Sequence, residues 1–179
     1  MEEAVRVQEV VNNHPDKVFM IGFMRRYDRS YVYAKKRKIE QGKIGDPVLV
    51  RCYGLDPAKS YQWIYAVCEK NNYSGGLFLD MAIHDLDLAR WYLNAEAKQV
   101  WAIGGAYAYP EIAQLNDAET GAALVKFENN KNGNFFVAGR NCAHGYHIET
   151  EIIGTKGTLR IGTTPDKKIW YPYLMIMGS

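Results

Sequence analysis

Apolar residues recur at helical spacing from Glu2 to Asn13, where Ala4, Val7, Val10 and Val11 share one side and Glu2 and Glu3 sit at the favourable N-terminal end. Asn12-Asn13-His14-Pro15 closes that helix, because Pro15 restricts the residue before it. Val18 to Phe23 is a continuous apolar run, the pattern of a strand buried on both faces. A helix followed by such a strand is how a chain joins a parallel α/β sheet, and one αβ unit alone cannot cover it. Asp28 or Ser30 is suited to cap a second helix that reaches about Gln41 and stops at Gly42. Pro47 to Tyr53 predicts a strand. The stretch from Asp56 to Ser74, with Tyr61, Trp63 and Tyr65, predicts a long loop of the kind that usually covers something.

Gly75–Gly76 precedes a strong helix over Leu79–Leu93, and the texture then changes. Strands are expected near Gln99–Ala108, Thr120–Phe127, Asn134–Cys142, Tyr146–Ile153 and Thr158–Ile161. Turn signals at Asn129–Gly133 and Gly154-Thr155-Lys156-Gly157 have hairpin spacing. Helices first and an antiparallel meander later predict an α+β fold, a large and mostly antiparallel open sheet with helices on one face. No internal repeat or low-complexity tract interrupts it.

Composition narrows the function classes. An apolar share of 47% supports a buried core, and a net charge of +2 is too small to predict a nucleic-acid or anionic-membrane partner. The basic run Lys35-Lys36-Arg37-Lys38 is therefore read as a solvated helix face. No apolar run approaches the roughly 18 residues of a membrane span. Cys52, Cys68 and Cys142 lie far apart without C-x-x-C spacing, which fits a reduced, cytoplasmic setting better than a disulfide framework.

The segment Gly75 to Trp91 holds the densest candidate chemistry. On a helix of 100° per residue, Asp80, His84, Asp87 and Trp91 fall within about 60° of one another, on a helix that is otherwise mostly apolar. Asp80 and His84 stand at i and i+4, where a carboxylate can fix the imidazole tautomer and favour its protonated form. That is the build of a general acid/base. The competing reading is structural, with Asp87 paired to Arg90 and His84 an ordinary core histidine. A metal site built on Asp80, His84 and His144 or His147 is the weakest reading, since no second tight ligand pair occurs and His144-x-x-His147 on a strand would point to opposite faces.

Two further clusters carry charge. Arg25 and Arg26 directly follow the apolar run, beyond the carboxyl end of an expected strand, where open α/β sheets bind ligands; alternatively they pair with Asp28 and nearby acids. Arg140 to His147 forms a polar group at a strand–strand junction, with Gly145 permitting a kink, or else an ordinary turn with exposed imidazoles. There is no G-x-G-x-x-G, and Gly104–Gly105 opens no helix, so no dinucleotide loop is present.

Taken in order, Val18 to Asp28, Ile44-Gly-Asp-Pro47, Gly75–Gly76 with Asp80-x-x-x-His84-Asp85-x-Asp87, Gly145 to Glu151, and Gly154-Thr-Lys-Gly157 resemble the C-terminal portion of the inositol 2-dehydrogenase branch of the glucose–fructose oxidoreductase (Gfo/Idh/MocA) family. The resemblance implies that residues 1–24 are the remnant, the last αβ unit, of a Rossmann domain. Residues 25–179 are then a substrate-binding, catalytic and oligomerisation domain, cut short at its C-terminus. It also implies NAD or NADP as cofactor, with the glycine-rich loop and the lysine of a Glu-Lys-Pro motif absent from these residues. By the same resemblance His84 moves the proton, Asp80 is its partner, and Met24, Arg25, Asp56 and Tyr146 contact a polyol. Gly54 stands where the family has a sugar-facing histidine, Asp56 replaces an amide, and matching stops after Asp166.

The expected function is the catalytic half of an NAD(P)-dependent polyol dehydrogenase, inactive alone. It would act as a homo-oligomer through its sheet, or with a separate Rossmann chain. A non-catalytic binding or oligomerisation module derived from such an enzyme is the alternative, and a metal-dependent hydrolase on Asp80 and His84 a third.

Overall fold

The computed structural model describes residues 2–71, 75–128, 134–142, 145–162 and 173–177. The chain opens with α1 (Glu2–Asn13), then a 3-10 turn at Met24–Tyr27 and α2 (Arg29–Tyr33), which runs on as a π-helical turn over Ala34–Ile39. Strand β1 (Pro47–Pro57) leads to α3 (Ser60–Asn71). A second π-helical turn, Phe78–Ala82, runs directly into α4 (Ile83–Leu93). The remaining strands are β2 (Ala97–Gly105), β3 (Thr120–Phe127), β4 (Asn134–Cys142), β5 (His147–Gly154), β6 (Thr158–Gly162) and β7 (Tyr173–Met177).

All of these strands join one sheet in the order β2-β3-β4-β1-β5-β6-β7, and only the β1–β4 pairing is parallel. The expected α+β architecture is what forms. Because side chains alternate along a strand, Val50 and Cys52 of β1 turn to one face together with Phe136, Ala138, Ala123 and Ile152 of their neighbours. Leu88, Ala89, Tyr92 and Leu93 of α4 cover that row. Burying Leu88 and Leu93 completely is worth about 1.5–3 kcal/mol each. Asp28 caps α2 as expected, its Oδ1 accepting the Ser30 amide at 2.8 Å.

The opposite face has two textures. Toward β5 and β6 it is ionic: Arg51 and Arg160 both reach Glu151, at 2.8 and 2.7 Å, and the His147 ring stacks flat on Tyr53, 5.4 Å between centroids. Toward β2 and β3 it is apolar and exposed, with Trp101, Ile103 and Leu124 on one surface.

Two of the sequence motifs meet at one end of the central strands, just before β1 and in the turn between β5 and β6. The Lys156 amide donates to the Ile44 carbonyl at 2.8 Å and the Thr155 amide to that of Asp46 at 3.0 Å. A Cβ at Gly154 would collide with the Ile44 carbonyl oxygen, so glycine is required there by close backbone approach. These motifs build the scaffold rather than the chemistry.

The fold corrects the sequence expectations in two places. Val18 to Phe23 is not a strand, and Val18 is 97% and Ile21 66% exposed, because no described strand lies beside the run to accept its backbone bonds. The long loop expected from Asp56 to Ser74 is mostly regular: β1 continues to Pro57 and α3 follows, its aromatic and β-branched residues disguising a helix free of glycine and proline. Past Asp166, a stretch for which no element is predicted, β7 adds an antiparallel strand to β6. The turn at Asn129–Gly133 and His144 lie outside the described residues.

Candidate functional site

The helix carrying Asp80 and His84 is not one continuous α-helix, and this redistributes its polar stripe. The i→i+5 bonding of the π-helical turn changes the phase between Phe78–Ala82 and α4, and such turns concentrate at functional sites. Asp80 and His84 still face one open cavity of about 810 Å³. Asp87 and Trp91 part from them: Arg26 clamps Asp87 through two bonds of 2.7 and 2.8 Å and lies 5.6 Å from the Trp91 ring centroid, with Lys35 6.0 Å from the same ring. Arg90 pairs with Glu96 at 2.7 Å, so the Asp87–Arg90 pair of the structural reading does not form.

Five stretches of chain build the cavity. The 3-10 turn and α2 contribute Met24, Arg25, Tyr27, Asp28 and Tyr31; β1 contributes Gly54 and Asp56; the π-turn and α4 contribute Asp80, Met81 and His84; and Tyr146, Ile148 and Gly162 close the far side. Met24, Arg25, Asp56, Asp80, His84 and Tyr146, scattered over the sequence, therefore line one cavity. His147 does not join them, being stacked on Tyr53. Among the described residues no cluster of three or more His, Cys, Asp or Glu side chains could hold a metal ion, so the hydrolase reading gains no third ligand. No helix among them is long and apolar enough to cross a membrane.

The electrostatics differ from the expected acid–imidazole pair. Asp80 bonds to the Arg140 guanidinium, which comes from β4 and is 1% exposed. The buried Nδ1 of His84 has no hydrogen-bond partner among the described residues, and the Phe23 ring sits edge-on at 6.3 Å. Burial and then the Arg25 charge hold the imidazole below its ordinary range, against the opposing pull of Asp85, Asp80 and Asp87. Asp80 thus favours the protonated ring, as its spacing predicts, but burial and Arg25 outweigh it, so near neutral pH the ring is an uncharged base. Asp56 moves the other way, pushed up by burial and by Asp80, with Arg140, Arg25 and His84 opposing.

The other arginine is anchored from below. Arg25 pairs with Asp85, which is fully buried, while the side chain of Arg25 is 13% exposed at the cavity. Burial lowers the guanidinium pKa, but the attractions of Asp85, Tyr31 and Cys52 together outweigh it, so Arg25 stays charged. Asp85 and Arg140 were quoted in sequence motifs but given no role. The signal for Arg140 was available: it shares strand parity with the inward-facing Phe136 and Ala138, and an inward arginine requires an acid.

Gly54 explains itself at the same place. A Cβ there would lie 2.7 Å from Oδ2 of Asp85. Gly54→Ala is expected to cost about 1–3 kcal/mol by forcing Asp85 off Arg25, visible as a lower urea midpoint. An unchanged midpoint would mean that the helix yields without strain.

The residues present do not fit a dinucleotide. No G-x-G-x-x-G occurs among them, and the one described strand that runs into an α-helix, β1 into α3, does so through Ala58-Lys59 without a glycine, so they form no pyrophosphate cradle.

The profile of the GFO/IDH/MocA C-terminal domain matches residues 32–160. The scyllo-inositol 2-dehydrogenase (NAD(+)) of Bacillus subtilis is 34% identical over 167 residues, spanning 91% of this chain and 45% of that protein. The crystal structure of scyllo-inositol dehydrogenase from Lactobacillus casei with bound NAD(H) and scyllo-inositol superposes with a TM-score of 0.82 at 49% identity, over 94% of this chain and 49% of that one. Myo-inositol 2-dehydrogenase from Lactobacillus plantarum gives 0.86 at 36% identity, over 94% and 49%. The chain thus spans about half the length of the relatives it matches.

Proposed function

We propose, since the chain belongs to the GFO/IDH/MocA family and carries its C-terminal domain, that it supplies the polyol site and the proton-handling residues of an NAD-dependent inositol dehydrogenase. The observation that carries this reading is the convergence of Asp80, His84, Arg25, Asp56, Met24 and Tyr146 on one cavity. Its wall mixes apolar stems with several separated hydrogen-bonding groups, which suits a ring of hydroxyls better than a long apolar or a polyanionic ligand. Oxidation of a secondary alcohol removes a hydroxyl proton and a hydride from one carbon; nicotinamide, when bound, accepts the hydride. This chain's part is the proton. His84, uncharged near neutral pH, accepts it from the hydroxyl, while Arg25 and Asp56 hold neighbouring hydroxyls and Asp80 presents its free edge to the ring.

The exposed run Val18–Ile21 and the valines of α1 fit the edge of a cofactor-binding domain, and Trp101, Ile103 and Leu124 fit a self-association face on the sheet. Both assignments rest on exposure of apolar side chains.

The test joins this chain to the portion of the Lactobacillus casei enzyme that it does not cover. The chimera is expected to reduce NAD with scyllo- or myo-inositol, followed by the absorbance of reduced nicotinamide, whereas the 179-residue chain alone, lacking a dinucleotide loop, is not. A folded chimera that binds NAD but turns over neither inositol sinks the polyol assignment. Turnover by the chain alone sinks the division of labour. If the chimera is silent yet the chain binds inositols calorimetrically, the binding-module reading takes its place.

A further inference from the structure

Arg140 is the largest fully buried side chain among the described residues, yet it does not serve a buried acid. Its Nη2 meets Asp80, whose side chain is 42% exposed in the cavity wall, and its Nη1 is buried without a hydrogen-bond partner among the described residues. A guanidinium sealed in the core with one arm unsatisfied is costly, and such cost persists where the group fixes something that must not move. What it fixes is a carboxylate borne on a π-helical turn, four residues before an imidazole. In an uninterrupted helix that spacing would let Asp80 swing onto His84.

We propose that Arg140 is a positioning residue of this site: from β4 it holds the Asp80 carboxylate against the cavity wall and away from His84, leaving the imidazole free to take a proton from the ligand. This rests on the polyol reading only for the identity of the ligand; the clamp itself is a property of the chain. The charges facing His84 are Arg25 from the 3-10 turn, Asp56 from β1, and Asp80, Asp85 and Asp87 from its own helical segment. Arg140 and Asp56 face Asp80. Of the acids, only Asp80 is tied by Arg140, since Asp85 is held by Arg25 and Asp87 by Arg26. Releasing Asp80 therefore changes one partner of the imidazole and leaves the others in place.

The experiment is an NMR titration of the His84 ring in the 179-residue chain. Arg140→Met is expected to raise its proton affinity about tenfold, as the released carboxylate reaches the ring. Arg140→Lys, which keeps the charge and one bond to Asp80, is expected to change it less than about threefold. Loss of the arginine's charge alone would shift the ring equally whether or not Asp80 is present. The deciding comparison is therefore Arg140→Met in the Asp80→Asn background: a much smaller shift there supports the clamp, and an equal shift overturns it. If Arg140→Met fails to give a folded spectrum, Asp80→Asn alone decides. A change under about threefold supports a carboxylate held off the ring, and a tenfold fall overturns it by making Asp80 the imidazole's own partner. Adding scyllo-inositol to the same samples separates the two readings. No perturbation of His84 by the polyol removes the ligand assignment and leaves the clamp intact.

Discussion

Replacing His84 by glutamine in the chimeric dehydrogenase is expected to lower kcat for inositol oxidation by about 10²–10⁴-fold while changing KM only a few-fold. Glutamine keeps a hydrogen-bonding group near the ligand but cannot take a proton, so the loss falls on the chemical step. The geometry asks for this size of effect because, among the described residues, no other uncharged base shares the cavity. Asp80 is tied to Arg140 and Asp85 to Arg25, while Tyr31 is pushed up to about 12, first by burial. A loss below about tenfold would move the base to another group, with Asp56 next in line by position.

The same residue sets a pH limb with a defined sign. Burial and Arg25 hold the folded His84 below its ordinary value of 6.5, so the ring is deprotonated at neutral pH, and kcat/KM should fall on the acid side at a midpoint below 6.5. The linkage to folding runs in the same sense. The unfolded chain binds the proton first as pH drops through 6.5, so stability is lost between that value and the lower folded midpoint, and regained above it. A midpoint at or above 6.5 would restore the acid–imidazole pair that helical spacing alone suggested.

Legibility of the fold followed hydrophobic period. β3 and β4 match their expected bounds, and in β3 inward and outward residues alternate cleanly, as in the burial of Gly121, Ala123, Val125 and Phe127. α3 was misread because Tyr61, Trp63, Ile64 and Tyr65 favour strands locally, and only tertiary context decides such a run. The apolar run at Val18–Phe23 has the pattern of a buried strand, yet such a run becomes a strand only beside another strand, a condition no local pattern encodes. At the site, the residue set was legible because the motifs carried it, whereas the pairing was not. One hundred degrees per residue presumes an α-helix throughout, and the π-helical turn at Phe78–Ala82 breaks that assumption between Asp80 and His84. Arg140 and Asp85 find their partners across 60 residues of sequence, a distance over which spacing says nothing.

The largest effect on stability is expected from Asp85→Leu. The carboxylate is fully buried and its partner Arg25 nearly so, and removing one member of such a pair leaves the other charged in a medium that solvates it poorly. The cost for buried pairs is about 3–5 kcal/mol; the lower end applies here, because Arg25 borders the cavity and water can reach part of it. Against a total stability of roughly 5–15 kcal/mol, that removes a large fraction of the folding free energy. Urea unfolding followed by tryptophan fluorescence should show the midpoint falling with little change in slope. The double variant Arg25→Met with Asp85→Leu separates charge from packing. Apolar side chains of similar length fill the same space without an ion to desolvate, so stability should return to within about 1 kcal/mol of the parent. Inositol binding should not return with it, since the guanidinium that faces the ring is gone. Recovery of stability together with binding would show that Arg25 serves the fold alone, and a single variant as stable as the parent would show that the pair contributes nothing to it.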